Sequence, residues 1–279
     1  TRLLTFGAPI SPKLMKQYQE ILPNGEIHTP YGATEGLPVS SIGSRLVLEE
    51  TAEKSQAGAG MCVGKPAPNV EIRIIAISDE PIETWSGATE LPTGEIGEIC
   101  VSGPQITRQY DQREDATKAS KILDPSLGES GFWHRMGDVG YFDESGRLWF
   151  CGRKAHRVEA EHGVMHSVPC EAVFEKHPRV YRAALVGKGE RGSEHPVLIV
   201  EPEPGEMPGT PEAMDALADE LLKIGGEFEH TAVIKEILFH PAFPVDKRHN
   251  AKIHREELAE WALIGKTGMN MQRQKLLKA

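Results

Sequence analysis

Apolar positions along this chain recur at two spacings, and the change of spacing marks out its elements. The short apolar run Leu3–Phe6 predicts a strand. Ser11 and Pro12 then open a helix over Lys13–Leu22, which Pro23-Asn24-Gly25 stops, and Glu26–Thr29 predicts a second strand. A strand, a glycine-bearing loop, a helix and a strand in that order indicate an α/β fold. Between Gly36 and Gly60 the chain is rich in Ser, Gly and Glu, and it predicts only a short helix over Thr51–Gln56. Val70–Ile77 alternates apolar with polar, the pattern of a half-buried strand. A turn at Pro92–Gly97 leads to another strand, Glu98–Val101, and the turn Asp143–Gly146 leads to a third, Arg147–Cys151. This stretch of strands and turns predicts a small barrel-like or sheet subdomain.

After Gly152-Arg153 the pattern shifts. Pro169–Lys176 predicts a helix, and Tyr181–Val186, Pro196–Val200 and Thr231–Phe239 predict strands. Pro211–Ile224 places Ala213, Leu217, Leu221 and Ile224 on one helical face, and Glu256–Leu263 closes the chain as a helix. Three strands and a few helices suit a compact α+β unit, so a domain boundary is expected near Gly152–Ala155, separating residues 1–152 from 153–279.

Composition adds exclusions. The 279 residues are 39% hydrophobic and 26% charged, with a formal net charge of -10, a soluble globular balance. An acidic chain excludes a general nucleic-acid or anionic-membrane footprint, so any anionic ligand must be met by local dipoles and a few placed cations. No apolar run approaches the ~20 residues needed to span a bilayer. Cys62, Cys100, Cys151 and Cys170 form no C-x-x-C pair and no zinc spacing, and they predict buried thiols in a reducing, cytoplasmic compartment. Thr1–Phe6 reads as a strand entered in midstream, as in part of a longer protein.

Three stretches carry candidate chemistry. In Pro30-Tyr31-Gly32-Ala33-Thr34-Glu35-Gly36, the small residues let backbone approach a bulky anion. Thr34 offers a hydroxyl to phosphate, Glu35 offers oxygen to a hard cation such as Mg²⁺, and Tyr31 offers a ring to a flat base. An ordinary surface turn has a similar composition. In the second stretch, Phe132–Tyr141, the Gly137-Asp138 pair puts a carboxylate at a strand edge, where it either accepts both hydroxyls of a ribose diol or simply ends a strand or caps a turn. The third, Phe243–Arg255, is a basic, proline-introduced segment in an acidic protein: a solvated turn, or a loop bearing a lysine that reaches a phosphate or carboxylate. His162 and His166 are spaced i, i+4, but Gly163 lies between them without a helical pattern, and no metal site is expected there.

Taken together and in order, these stretches resemble the adenylate-forming superfamily of acyl-CoA synthetases, luciferases and peptide-synthetase adenylation domains. Gly7-Ala8-Pro9 is similar to the segment that flanks adenine, and Tyr31–Glu35 matches Tyr-Gly-x-Thr-Glu. Gly97-Glu98 through Tyr110 resembles the following Gly-Glu strand, Trp133–Asp138 the Thr-Gly-Asp motif with Met136 replacing threonine, and Gly152-Arg153 the hinge. Lys252-Ile253-His254-Arg255 matches Gly-Lys-x-x-Arg, with Ala251 replacing glycine. The resemblance implies the carboxy-terminal part of a large ATP-binding adenylation domain followed by a small mobile lid domain, because the family's Ser/Thr-Gly-rich phosphate loop does not occur in the sequence. It also implies that ATP and Mg²⁺ activate a carboxylic acid. On that reading Gly7, Ala8, Pro9, Tyr31, Gly32 and Ala33 lie against adenine or phosphate, and Thr34 binds the α-phosphate. Glu35 ligates Mg²⁺ and Asp138 holds the ribose, with Phe150 and Arg153 beside it. Lys252 bridges the acyl carboxylate and the α-phosphate.

Within the superfamily, Tyr31–Pro38, Gly152–Val158 and Pro244–Ile253 look most like the olefin β-lactone synthetases. That likeness implies a long-chain β-hydroxy acid as substrate, partner enzymes of the same lipid pathway and no external thiol. The alternatives are a fatty acyl-CoA or fatty acyl-AMP ligase and, outside the enzymes, a nucleotide-binding module.

Overall fold

The structure is a computed structural model that describes residues 2–5, 10, 12–246 and 252–263. Two compact units emerge, Thr1–Ser55 with Ala59–Ala155, and Gln56–Gly58 with the chain from His156 onward.

The first unit is built on one nine-stranded sheet. Its strands are β1 (Arg2–Leu4), β2 (Glu26–Ala33), β3 (Gly36–Gly43), β4 (Met61–Pro66), β5 (Glu71–Ile75), β6 (Gly97–Ser102), β7 (Lys121–Leu123), β8 (Phe132–Phe142) and β9 (Leu148–Arg153). They run in the order β1-β2-β3-β4-β9-β8-β6-β5, and β7 pairs with β8. β1 and β2 are parallel, and the helix Pro12–Ile21 lies between them in sequence. The middle strands are not a separate sheet. β4 pairs with β3 at Ser41–Lys65 and with β9 at Cys62–Trp149, joining the early and middle strands into one surface.

β3 was hidden in the sequence by its Ser and Gly content. Val39 and Ile42 nevertheless reach the core, and the fully buried Ser40 hydroxyl is satisfied because it donates to the Val63 carbonyl, which removes the usual cost of burying it. The segment after β3 is helical over a longer span than the sequence suggested, in successive short turns from Ser44 to Ala59. It packs Leu46, Val47 and Leu48 with Met15, Ile42, Cys62 and Trp149.

In the second unit β12 (Val180–Lys188), β13 (His195–Pro202) and β14 (Glu236–Phe239) form a three-stranded sheet, and β10 (Val158–Ala160) and β11 (Gly163–Met165) form a separate hairpin. The continuous apolar runs of β12 and β13 are explained by cover on both faces. Ala183, Leu185, Leu198 and Val200 face Val173, Phe174, Leu217 and Leu221 from the helices Ser167–Phe174 and Pro211–Gly225. On the other face Ala184, Val186, Val197 and Ile199 meet Phe243, Leu258 and Ala262. Only Glu236–Phe239 of the expected Thr231–Phe239 strand is extended. Thr231 instead donates its hydroxyl to the Gly225 carbonyl, closing the preceding helix. All four cysteines are buried free thiols. Among the described residues no helix is long and apolar enough to cross a membrane.

Candidate active site

The stretch Pro30–Gly36 is a hairpin rather than a loose loop. β2 continues through Tyr31 to Ala33, Ala33 pairs with Gly36, and Thr34-Glu35 form the turn. The register slips between Tyr31 and Ala33. A Cβ on Gly32 would run into the Gly36 carbonyl and the Leu37 side chain, so the hairpin closes only with glycine there. The consequence is positional: Thr34 is exposed at the tip, while Tyr31 points toward β8 and β9.

Asp138 is placed by a bulge. Between its pairings with Cys100 and Glu98 of β6, β8 runs from Arg135 to Val139, two residues longer than its partner. Gly137 takes up the excess at a φ of 66°, a conformation that glycine adopts at no steric cost. Asp138 lies opposite Arg153 across β8 and β9. Its Oδ1 accepts from Arg153 Nη1 at 2.8 Å and its Oδ2 from the Tyr31 hydroxyl at 2.6 Å. Arg153 also donates to the Met136 carbonyl at 3.2 Å. The Tyr31 and Phe150 rings pack at 5.8 Å. Asp138 is only 5% exposed, whereas the Arg153 side chain is 48% exposed. Burial pushes the Asp138 carboxyl upward against the pull of Arg153. Burial, and then the neighbouring carboxylate, push the Tyr31 hydroxyl well above its ordinary value, so Tyr31 remains a donor. An ionised carboxylate has about four lone-pair sites. Two are used here, which leaves capacity for the two hydroxyls of a ribose.

Glu35 is held by residues the sequence reading did not single out. The Tyr110 hydroxyl donates to Glu35 Oε1 at 2.8 Å, and Thr107 N–H donates to the Glu35 carbonyl at 2.7 Å. Lys121, buried on β7, donates to the Thr107 carbonyl and lies 5.0 Å over the Phe132 ring. Burial works against the Glu35 charge. The Tyr110 hydrogen bond, Glu35's own backbone N–H, and the charges of His134 and Lys121 together hold its carboxyl below the usual range. Burial drives Lys121 down to about 8 and, with Lys121 beside it, His134 to about 4. Only one Glu35 oxygen has a hydrogen-bond partner among the described residues, which leaves the other able to ligate a hard cation, although among those residues no group of three or more His, Cys, Asp or Glu gathers to complete a site. Spacing alone could not find these groups, because Tyr110, Lys121 and His134 come from a loop and two strands that meet only in the folded sheet.

A second buried network lies nearby. Arg135 donates to Glu98 at 2.6 Å and to the Glu80 carbonyl at 2.9 Å, and Lys154 approaches Glu98 at 3.1 Å and donates to the Ser78 carbonyl at 2.8 Å. Lys154, the residue after Arg153, is thereby tied to β6.

Lys252 belongs to the second unit and is exposed. Its carbonyl accepts from Asp246 N–H at 2.9 Å, and Ile253 bridges Val245. Gly7, Ala8 and Pro9, with residues 247–251 of the basic segment, lie outside the described residues.

Aromatic, carboxylate and arginine groups thus surround one strand bulge, with a second carboxylate in the adjoining hairpin turn. Residues 1–111 match the family described as AMP-binding enzyme, and the chain belongs to this adenylate-forming family. Among its relatives it is similar to an olefin beta-lactone synthetase of Xanthomonas campestris pv. campestris, 48% identical over 92% of this chain and 46% of the relative. It is also similar to that of Stenotrophomonas maltophilia, 47% identical over 94% and 47%. The structure of the amide bond synthetase McbA from Marinactinospora thermotolerans aligns with a TM-score of 0.69 at 25% identity, over 93% of this chain and 47% of that one. The chain thus spans about half the length of the curated relatives it matches.

Proposed function

We propose that this chain is the nucleotide- and lysine-bearing part of an AMP-forming synthetase that activates a long-chain β-hydroxy acid and closes it to a β-lactone. The observation that carries the reading is the double hydrogen bonding of Asp138 by Tyr31 and Arg153, which aims a carboxylate with spare acceptor capacity beside two aromatic rings. The names of the relatives favour the lactone product.

In the first step the acid's carboxylate oxygen attacks the α-phosphorus of ATP and pyrophosphate leaves. Asp138 holds the ribose with Phe150 and Arg153 beside it, Tyr31 packs on the adenine, and Thr34 donates to the α-phosphate. Mg²⁺, held by Glu35, supplies charge neutralisation when bound. Lys252 places its ammonium where negative charge gathers on the carboxylate and the α-phosphate, and that electrostatic stabilisation is the main catalytic device such chemistry needs. In the second step the β-oxygen attacks the acyl carbon, the bond from that carbon to the phosphate oxygen breaks, and AMP leaves as the hydroxyl proton is lost. The nucleophile is intramolecular, so the protein has chiefly to orient it and exclude water.

The test is incubation of the intact protein with ATP, Mg²⁺ and a β-hydroxy fatty acid without coenzyme A. Release of AMP with one equivalent of β-lactone is the expected result. Strict dependence of turnover on coenzyme A would replace this reading with an acyl-CoA ligase, and AMP release unchanged by Lys252→Ala would remove Lys252 from the mechanism.

A further inference from the structure

Lys252 lies on an extended, exposed segment, and such a segment does not by itself aim a lysine. Its neighbours do. On the amino-terminal side the chain is bridged at Val245–Ile253, with Asp246 N–H donating to Lys252 O and His254 N–H donating to Pro244 O, both at 2.9 Å. On the carboxy-terminal side Arg255 opens a helical segment, 255–263, whose Leu258 and Ala262 are fully buried.

Arg255 points into the unit rather than to solvent. Its Nη2 donates to Glu171 Oε2 at 2.6 Å and its Nε to Glu171 Oε1 at 3.2 Å. Glu171 Oε1 also accepts the Leu185 N–H at 2.8 Å. One carboxylate therefore ties together the helix Ser167–Phe174, the free edge of β12 and the start of the helical segment that follows Lys252. The pair is closed, with side chains 15% and 8% exposed.

A buried ion pair of this kind gains little net stability over apolar packing, because desolvating both charges offsets their attraction. What it supplies is direction. A planar fork set on two carboxylate oxygens fixes angle as well as distance, which a lysine at the same position cannot do. Only Ile253 and His254 separate Arg255 from Lys252, a span of about 10 Å even when extended.

We infer that Arg255 is a positioning residue for Lys252, its two-pronged clamp on Glu171 setting the place and direction of the segment that carries the lysine. The inference rests on the proposed role of Lys252 in adenylation. It accounts for the arginine of the Lys-x-x-Arg pattern without bringing its guanidinium to the substrate.

The experiment is a kinetic cycle in the intact protein, reading acid-dependent ATP–pyrophosphate exchange for Arg255→Lys, Arg255→Met and Glu171→Gln, each with Lys252 present and with Lys252→Ala. With Lys252 present, each is expected to lower kcat by roughly tenfold to a hundredfold, the size a displacement of about an ångström produces, with the KM for ATP nearly unchanged. In the Lys252→Ala background the same substitutions are expected to change the rate less than about twofold, because residues acting as one unit are not additive. Equal fractional losses in both backgrounds overturn the inference, as does an unchanged rate in folded Arg255→Met. A full rate in Lys252→Ala alone overturns the underlying reading of Lys252 as well, and is recognisable before any Arg255 variant is made. If Arg255→Met fails to fold, Glu171→Gln carries the test, since it keeps the shape and an acceptor for the Leu185 N–H. Hydrogen exchange then gives a reading independent of activity: the His254 amide is expected to exchange faster while the β12 and β13 amides do not, and protection of His254 as in the parent overturns the clamp.

Discussion

Two arginine–carboxylate pairs, one in each unit, have nearly the same contact distance and opposite surroundings. In Asp138–Arg153 the carboxylate is buried and the arginine is half exposed; in Glu171–Arg255 both are closed off. An arginine that keeps one side in water can share its carboxylate with a ligand while its own charge stays solvated, so the first pair can admit a ligand. An arginine sealed with its partner cannot. The same two residue types thus make a binding element in one place and a fixed strut in the other, and burial of the arginine distinguishes them.

The largest expected effect breaks the comparison on its closed side. Glu171→Ala takes the carboxylate clamp from the largely covered Arg255 and also orphans the Leu185 N–H, so urea unfolding should show a loss of about 3 kcal/mol. Asp138→Ala should cost much less in the same assay, since the freed Arg153 can turn to water. Comparable losses for the two would end the distinction drawn here.

The polar wall behind Glu35 responds to pH. His134 in the fold is held at about 4, chiefly by burial, while in the unfolded chain it titrates near 6.5. As pH falls from about 6.5 toward 4 the unfolded chain binds a proton that the folded site refuses, and stability drops by up to about 3 kcal/mol at this group. His134→Gln should flatten that part of the stability–pH curve. An unchanged slope would mean that His134 is open to solvent in the folded protein.

On the open side the effects are on ligand rather than on fold. Asp138→Asn should weaken AMP binding by about 2 kcal/mol, from the loss of charge-assisted hydrogen bonds, measured by titration calorimetry. The smallest effect should come from Tyr31→Phe, which keeps the ring packed on Phe150 and removes one hydrogen bond, a change of about 1 kcal/mol. If Tyr31→Phe weakens AMP as much as Asp138→Asn does, the hydroxyl rather than the carboxylate reads the nucleotide.

Much of this was legible in the linear chain. The amphipathic face of the helix Pro211–Gly225 follows from spacing, and its buried Leu217 and Leu221 are two of the four positions read from the pattern. The apolar runs of β12 and β13 follow from residue type. β3 was not legible, since its buried Ser40 is made tolerable only by a carbonyl twenty-three residues away in sequence. Nor were Tyr110, Lys121 and His134, ordinary polar residues until the sheet brings them to Glu35.

The sequence by itself determined which chemical groups are available, in what order along the chain, and the α/β pattern of its elements, because side-chain type and local periodicity are properties of near neighbours. Only the tertiary structure decided which of those groups meet. The bulge at Gly137 that aims Asp138 at Tyr31 and Arg153, and the clamp of Glu171 on Arg255 across eighty-four residues, depend on strand register and burial, and these are settled by packing between segments that no local pattern connects.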